Sequence, residues 1–180
     1  NSILYVSVLQ EQLEELGHIG ASYDMYLLDD LKDGLVPEHK INIFLGTTLI
    51  DDEERNAIES QLKKNGNYLI FIFTAGISDG KTTDITLMED LVGMDLNIAG
   101  TSRREMGVAE IRNTSHWLTT GLKNSLFYGA ERYNVLSPVI EVTDSSADRL
   151  AYHYAAFYWL SPDYALAVKN MGDWTGIYSA

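Results

Sequence analysis

Two apolar runs separated by one clearly delimited helix constrain the fold of this chain more than any other feature. Residues 41–45 and 68–73 are rich in Ile, Leu and aromatic side chains, a pattern typical of buried strands. Between them, Asp51 and Glu54 have the spacing of a capping box, and Gly66 follows the helix as a terminator. This order of strand, helix and strand predicts a parallel pair joined by a right-handed crossover.

Weaker patterns extend this picture along the rest of the chain. An opening helix ends at Gly17, a short buried strand covers residues 23–28, and a further helix covers residues 85–93. We therefore predict an α/β fold of the flavodoxin-like type, with one doubly wound, mostly parallel sheet and helices on both faces. Three later apolar runs indicate strands of more antiparallel character, at residues 139–142, 164–168 and 175–178.

The length of 180 residues is sufficient for one domain with its own core. We therefore predict a single domain over residues 1–180. Because Asn1 falls within the predicted opening helix, we expect the chain to be a piece of a longer polypeptide.

Charge and cysteine content argue against several classes of function. The formal net charge of −13 opposes binding to nucleic acid and to anionic membranes, because both need Lys and Arg at the interface. The chain contains no cysteine, which excludes disulfides, thiolate metal sites and a cysteine nucleophile. The four histidines lack the spacing of metal ligands, so we predict neither a metal nor a cofactor. The composition is compatible with either a cytoplasmic or a secreted protein.

One stretch resembles a phosphate-binding loop. Residues 75–82 follow a predicted strand and read Ala-Gly-Ile-Ser-Asp-Gly-Lys-Thr, in which Lys81 would contact the outer phosphates and Thr82 the magnesium ion. Ala75 stands at the first glycine position, and Asp79 would place a negative charge against the phosphates. We therefore favour a solvent-exposed turn over a P-loop-like nucleotide-binding enzyme.

Ligands of doubly wound sheets bind at the carboxyl edge of the strands. This edge is where a sugar or another metabolite would bind if the chain is a small-ligand binding module. The acidic cluster at residues 51–54 is instead explained by helix capping. The candidate ligand-binding residues are Asp29, Gly46, Thr47, Ala75, Gly76 and His116.

Residues 152–159 form the densest aromatic run of the chain. Its members suit a core or an interface, and they also suit stacking on a sugar. We favour the core or interface. The five aromatic residues are Tyr152, Tyr154, Phe157, Tyr158 and Trp159.

A series of short motifs, in order along most of the chain, resembles the glutamine-amidotransferase-like domains attached to bacterial β-galactosidases and related glycoside hydrolases. The segment from His116 to Leu122 is similar to a His-Pro-x-Thr-x-Gly-Leu motif of those domains, with Trp117 in place of proline. The other matching segments are residues 20–31, 40–45, 52–55, 65–71, 74–76, 88–94, 166–169 and 172–178.

The resemblance implies a non-catalytic role. Catalytic members of this fold carry a cysteine on the sharp turn after a central strand, and the corresponding turn here resembles residues 74–76, without any cysteine. The implied function is that of an accessory or trimerisation module beside a (β/α)8 glycosidase barrel, through self-association or contact with that barrel. The small-ligand binding module and the nucleotide-dependent enzyme stay open as alternatives.

Overall fold

The computed structural model describes residues 9–100, 103–104, 107–128, 135–136, 138–155 and 159–180. The described helices are short and lie in the first half of the chain. They are α1 (Glu11–His18), α2 (Leu28–Lys32), α3 (Asp52–Ala57), which continues as a π-helical turn (Ile58–Leu62), and α4 (Ile85–Val92). The described strands are β1 (Ile41–Phe44), β2 (Asn67–Ile72), β3 (Leu96–Gly100), β4 (Arg103–Arg104), β5 (Gly107–Ile111), β6 (Ser125–Tyr128), β7 (Val135–Leu136), β8 (Val139–Val142), β9 (Asp148–Ala155), β10 (Trp159–Asn170) and β11 (Trp174–Ser179).

The largest sheet has seven strands in the order β1-β2-β11-β10-β9-β5-β6, and two further pairs are β3 with β8 and β4 with β7. Strand β2 runs parallel to both β1 and β11. The predicted parallel pair is therefore present, and the prediction of an α/β fold is confirmed.

The prediction of a mostly parallel sheet is wrong for the described strands. From β11 through β10, β9 and β5 to β6, each neighbour is antiparallel to the last. The physical reason lies in the connections: only residues 171–173 separate β10 from β11, and a link this short joins antiparallel neighbours, whereas a parallel pair needs a crossover of about a dozen residues.

The helix boundaries that local sequence signals predict are present in the structure. The Asp51 carboxylate accepts from the Glu54 amide and the Glu54 carboxylate accepts from the Asp51 amide, both at 2.8 Å, so the capping box is confirmed. Asp84 caps α4 through the Thr86 amide at 2.9 Å, and Gly93 ends the helix with a φ of 75°. Within the described residues, no helix has the length and apolar character needed to cross a bilayer.

The main core lies on one face of the sheet, under α3, the π-helical turn and α4. Leu69 and Phe71 of β2 are fully buried there and pack with Ile58, Met88 and Val92. The alternate residues of β2, Tyr68 and Ile70, point to the opposite face, where a smaller cluster contains Leu150, Val168 and Ile177. Leu118, which lies in a loop, packs against this second cluster, and no described helix contributes to it. The described residues therefore do not support the prediction of helices on both faces of the sheet.

Candidate functional site

The loops after β1 and β2 meet at the carboxyl ends of these two parallel strands. The Gly76 amide donates to the Thr47 carbonyl at 2.8 Å, and the Ser78 amide donates to the Thr48 carbonyl at 3.1 Å. Parallel strands bring their ends to one edge, and backbone bonds then fix the two loops to each other. Four of the predicted site residues, Gly46, Thr47, Ala75 and Gly76, therefore belong to one region.

The turn out of β2 is strained at Phe73. This residue has a φ of 57°, in a region that bulky side chains rarely occupy. Its backbone is held from both sides: its amide donates to the Ser179 carbonyl at 2.7 Å, and the Tyr178 hydroxyl donates to its carbonyl at 2.9 Å. Tyr178 is fully buried, and burial raises the pKa of its hydroxyl. The neighbouring strand β11 thus holds the sharp turn in place.

Arg55 also holds the loops after β1 and β2 in place. Its guanidinium donates to the carbonyls of Ile50 at 3.1 Å and Leu87 at 2.7 Å, and also to the carbonyl of Gly76. Burial lowers the pKa of Arg55, while surrounding carboxylates act in the opposite direction. One side chain therefore ties α3 and α4 to both loops. Sequence reasoning missed it, because Arg55 follows four consecutive acidic residues, a pattern typical of a solvated position.

The polar groups at this edge are few. The hydroxyls of Thr48 and Thr74 lie 3.0 Å apart and bond to each other. The hydroxyl oxygen of Thr47 is buried and has no hydrogen-bond partner within the described chain. Among the described residues, this edge therefore holds one buried hydroxyl without a hydrogen-bond partner, beside closely packed backbone.

Asp29 does not lie at the end of a strand. A buried strand was predicted for residues 23–28, but residues 22–27 have no regular structure and Leu28 begins α2. Tyr23, Met25 and Leu27 are exposed. Asp29 is in the first turn of α2, where its carboxylate pairs with Lys32 at 2.7 Å. That bond is the main cause that raises the pKa of Lys32.

His116 lies far from the strand ends at Gly46 and Gly76. Its ring lies beside Trp117, whose ring in turn contacts Tyr68, near the start of β2, with centroids 5.6 Å apart. From Tyr68 to Thr74 the chain advances by roughly 20 Å. The Leu118 amide donates to His116 Nδ1 at 3.2 Å, and Asp148 is 3.9 Å from His116 Nε2. These contacts give His116 a structural role in its own turn.

The phosphate-binding interpretation finds no support in the geometry. The Asp79 carboxylate accepts from the amides of Thr82 at 2.6 Å and Lys81 at 2.8 Å. These bonds, that from Thr82 foremost, lower the pKa of Asp79. The Lys81 ammonium bonds Asp52 at 2.7 Å. The amides that would hold a phosphate are therefore already occupied by a carboxylate.

The aromatic run is described only in part. The side chains of Tyr154 and Trp159 and the whole of Phe157 and Tyr158 lie outside the described residues. Tyr152 stacks on Tyr164 with centroids 4.3 Å apart and hydroxyls 2.7 Å apart. Arg112 lies 5.3 Å from the Tyr152 ring centroid, and Arg149 lies 4.4 Å from that of Tyr164. Both rings therefore make contacts within this chain, with each other and with an arginine.

No protein-family model matches the chain, and no curated protein matches it. Solved structures do resemble it. A β-galactosidase from Bacillus circulans sp. alkalophilus superposes with a TM-score of 0.56 at 14% identity, over 79% of this chain and 20% of its own. A catalytic mutant of a GH42 β-galactosidase from G. stearothermophilus superposes with a TM-score of 0.52 at 14% identity, over 79% of this chain and 19% of its own. A ThuA-like protein from Bacteroides uniformis superposes with a TM-score of 0.50 at 18% identity, over 94% of this chain and 72% of its own.

The chain therefore spans about a fifth of the length of these β-galactosidases, and most of the ThuA-like protein. At these identities the likeness concerns the fold.

Proposed function

We propose that this chain is a non-catalytic accessory domain of a carbohydrate-active protein, and that it serves assembly with another copy or with a neighbouring glycosidase domain. The observation that carries the proposal is the extent of the structural likeness. Most of this chain shares its fold with a segment that makes up 20% of a β-galactosidase chain. The finer assignment, to a domain of the class I amidotransferase type, is part of the same proposal.

The turn after β2 supports a role without chemistry. In catalytic proteins of the class that the motifs resemble, this turn carries the nucleophile. Here it reads Phe-Thr-Ala-Gly-Ile over residues 73–77, and the chain has no cysteine to attack an amide. The Thr74 hydroxyl is bonded to the Thr48 hydroxyl, and the His116 ring lies beside Trp117 instead of beside Thr74.

The turn that contains His116 offers a surface for association. It exposes Trp117 at 58% and Leu122 at 45% of their full accessible areas. Tryptophan is one of the residue types enriched among the few residues that carry most of the binding energy at protein interfaces. The Trp117 ring is already oriented, because it packs edge-on against Tyr68 of β2. An oriented ring loses less conformational entropy when a partner binds.

The test is the solution mass by light scattering over a wide range of concentrations. We expect the mass to rise with concentration toward a closed oligomer. Trp117→Ser and Leu122→Ser should lower it to that of the monomer. Ile98→Ser is the matched control, because Ile98 has a similar exposure of 41% on β3 and should leave association unchanged. A strict monomer at every concentration, with no effect of any variant, would remove self-association as this chain's own function.

A small-ligand binding module is the second candidate, and the unsatisfied Thr47 hydroxyl at the carboxyl edge favours it. A thermal-shift screen with a set of monosaccharides tests it, since a ligand of the folded state raises the melting temperature. Thr47→Val keeps the shape and removes the hydroxyl, and it should abolish any shift. No shift at millimolar sugar, or a shift that persists in Thr47→Val, would count against this site.

A further inference from the structure

Two tyrosines on neighbouring strands of the seven-stranded sheet are in direct contact. Tyr152 of β9 and Tyr164 of β10 are partners across an antiparallel pair, which places their side chains beside each other. Their rings are stacked, with centroids 4.3 Å apart and planes inclined by 29°. Their hydroxyl oxygens are 2.7 Å apart and share a hydrogen bond. The two phenols therefore approach each other from the ring centres toward the hydroxyl groups.

This geometry brings the reactive carbons of the two phenols together. Phenoxyl radicals couple through the ring carbons beside the hydroxyl, which in tyrosine are Cε1 and Cε2. These carbons lie between the ring centre and the oxygen, so their separation follows from the two distances of 4.3 and 2.7 Å. The nearest Cε atoms of Tyr152 and Tyr164 are therefore at about 3.5–4 Å, the distance of carbon atoms in contact. Coupling between them needs little further motion.

The other described tyrosines with known surroundings have different partners. Tyr26 contacts the ring of His39, and Tyr68 contacts the ring of Trp117. Tyr178 is fully buried, and its hydroxyl donates to a backbone carbonyl. Among the tyrosine rings whose contacts the described residues give, proximity therefore selects the pair of Tyr152 and Tyr164 for a reaction between two phenols.

The charges around the pair are compatible with oxidation. The hydrogen bond with Tyr152 is the main cause that raises the pKa of Tyr164, so Tyr164 is a neutral phenol at pH 7. A neutral phenol loses a proton together with its electron, and the radical that results is neutral. The guanidinium groups of Arg112 and Arg149, which lie 5.3 and 4.4 Å from the two ring centroids, therefore do not oppose radical formation by charge repulsion.

We propose that Tyr152 and Tyr164 form an oxidative modification site, at which a haem peroxidase using hydrogen peroxide joins the two rings as dityrosine. Each phenol gives up one electron and one proton, and the two radicals form a carbon–carbon bond between their Cε atoms. The hydrogen on each of these carbons then leaves as a proton, and a proton returns to each oxygen. Two tyrosines and one hydrogen peroxide thus give one dityrosine and two water molecules.

The link would fasten the sheet where its backbone pairing is irregular. The register between β9 and β10 shifts on both sides of Tyr164. A bond between the two side chains closes the chain between residues 152 and 164 into a ring and restricts the unfolded state, as a disulfide does. The chain has no cysteine, so a tyrosine link is a covalent cross-link that its composition allows. The cross-linked chain should therefore unfold at a higher urea concentration than the unmodified chain.

The test is oxidation of micromolar protein by a small haem peptide with hydrogen peroxide. We expect a monomer that is lighter by two hydrogen atoms and has dityrosine fluorescence, and peptide mass spectrometry should locate the link at residues 152 and 164. Groups within one chain have an effective concentration in the millimolar range, so this link should form about a thousandfold faster than links between chains. Tyr152→Phe and Tyr164→Phe should each abolish it. Tyr23→Phe, which removes a 47% exposed phenol outside the pair, should leave the yield unchanged.

A link located at other tyrosines, or a yield that Tyr152→Phe leaves unchanged, would overturn the assignment. So would cross-linked dimers without a modified monomer, or an unmodified chain in a sample where added N-acetyltyrosine is converted to its dimer. If a Phe variant loses its circular dichroism signal, the unmodified chain in urea replaces it. Unfolding should then spread the links over the 11 tyrosines of the chain, and an unchanged product would refute the proposal. These readouts do not depend on self-association, so they are independent of the proposed function.

Discussion

Replacing Gly76 by alanine tests how tightly the loop at the carboxyl edge is packed. Gly76 has a φ of +69°, and a Cβ built there would lie 2.5 Å from Leu91 Cδ2 and 3.2 Å from Arg55 Nη2. Leu91 is 4% exposed within the main core, so its side chain has little room to move. The substitution therefore combines a backbone cost with a steric cost.

The expected loss follows from the separate contributions. A left-handed backbone costs an L-residue about 1–2 kcal/mol. Overpacking in a core costs about 1–3 kcal/mol. The less flexible unfolded chain returns about 0.4–1 kcal/mol. Gly76→Ala should therefore lower the free energy of unfolding by about 1–5 kcal/mol, or shift the urea midpoint by about 0.5–2.5 M for a slope near 2 kcal/mol per molar.

Gly46→Ala is the matched control. Gly46 has a φ of +63° and nothing within 4 Å of its Cβ position. Gly46→Ala has the backbone cost without the steric cost, so it should lower the free energy of unfolding by only about 0–1.6 kcal/mol. The assay is urea unfolding followed by circular dichroism. Equal losses for the two variants would refute the steric argument, and so would a Gly76→Ala, Leu91→Ala double variant whose effects simply add.

Three further predictions concern single side chains. Burial alone would raise the pKa of Asp144, but bonds from Lys169 and Ser146 lower it well below its usual range. The ionised Asp144 carboxylate therefore stabilises the fold above about pH 4, and this stabilisation is lost as the pH falls. Asp144→Asn should be less stable than the unmodified protein at pH 7, and its free energy of unfolding should fall less between pH 7 and pH 3 in urea titrations. Parallel pH profiles of the two proteins would contradict this. Tyr178→Phe should cost about 1–3 kcal/mol, because it leaves the buried Phe73 carbonyl without its donor; an unchanged urea midpoint would show that this bond is not needed. Magnesium and ATP at millimolar concentration should cause no thermal shift, since Asp79 occupies the amides that a phosphate would need; a shift that Lys81→Ala abolishes would restore the nucleotide hypothesis.

Much of the fold in the first half could be predicted because its signals are local. The capping box of Asp51 and Glu54 and the terminator Gly93 act within one turn of a helix, so the sequence contains both partners of each contact. The strand at residues 23–28 was predicted wrongly for the opposite reason. Its composition is that of a strand, but pairing needs a neighbour from elsewhere in the chain.

The candidate site was predictable only in part. Gly46, Thr47, Ala75 and Gly76 follow two parallel strands, and chain order alone places them at one edge. His116 was predicted at the same edge, but its position depends on the aromatic contact between Trp117 and Tyr68.

The sequence by itself determined the parallel pair of strands, the boundaries of the helix between them and the absence of thiol chemistry. Each of these depends on neighbouring residues or on composition alone. The tertiary structure decided the antiparallel half of the sheet, the strained turn at Phe73 and the role of Arg55. Those features depend on contacts between residues far apart in the chain, such as the hydrogen bond between Tyr178 and Phe73. The free energies of such contacts cannot be inferred from a local sequence pattern.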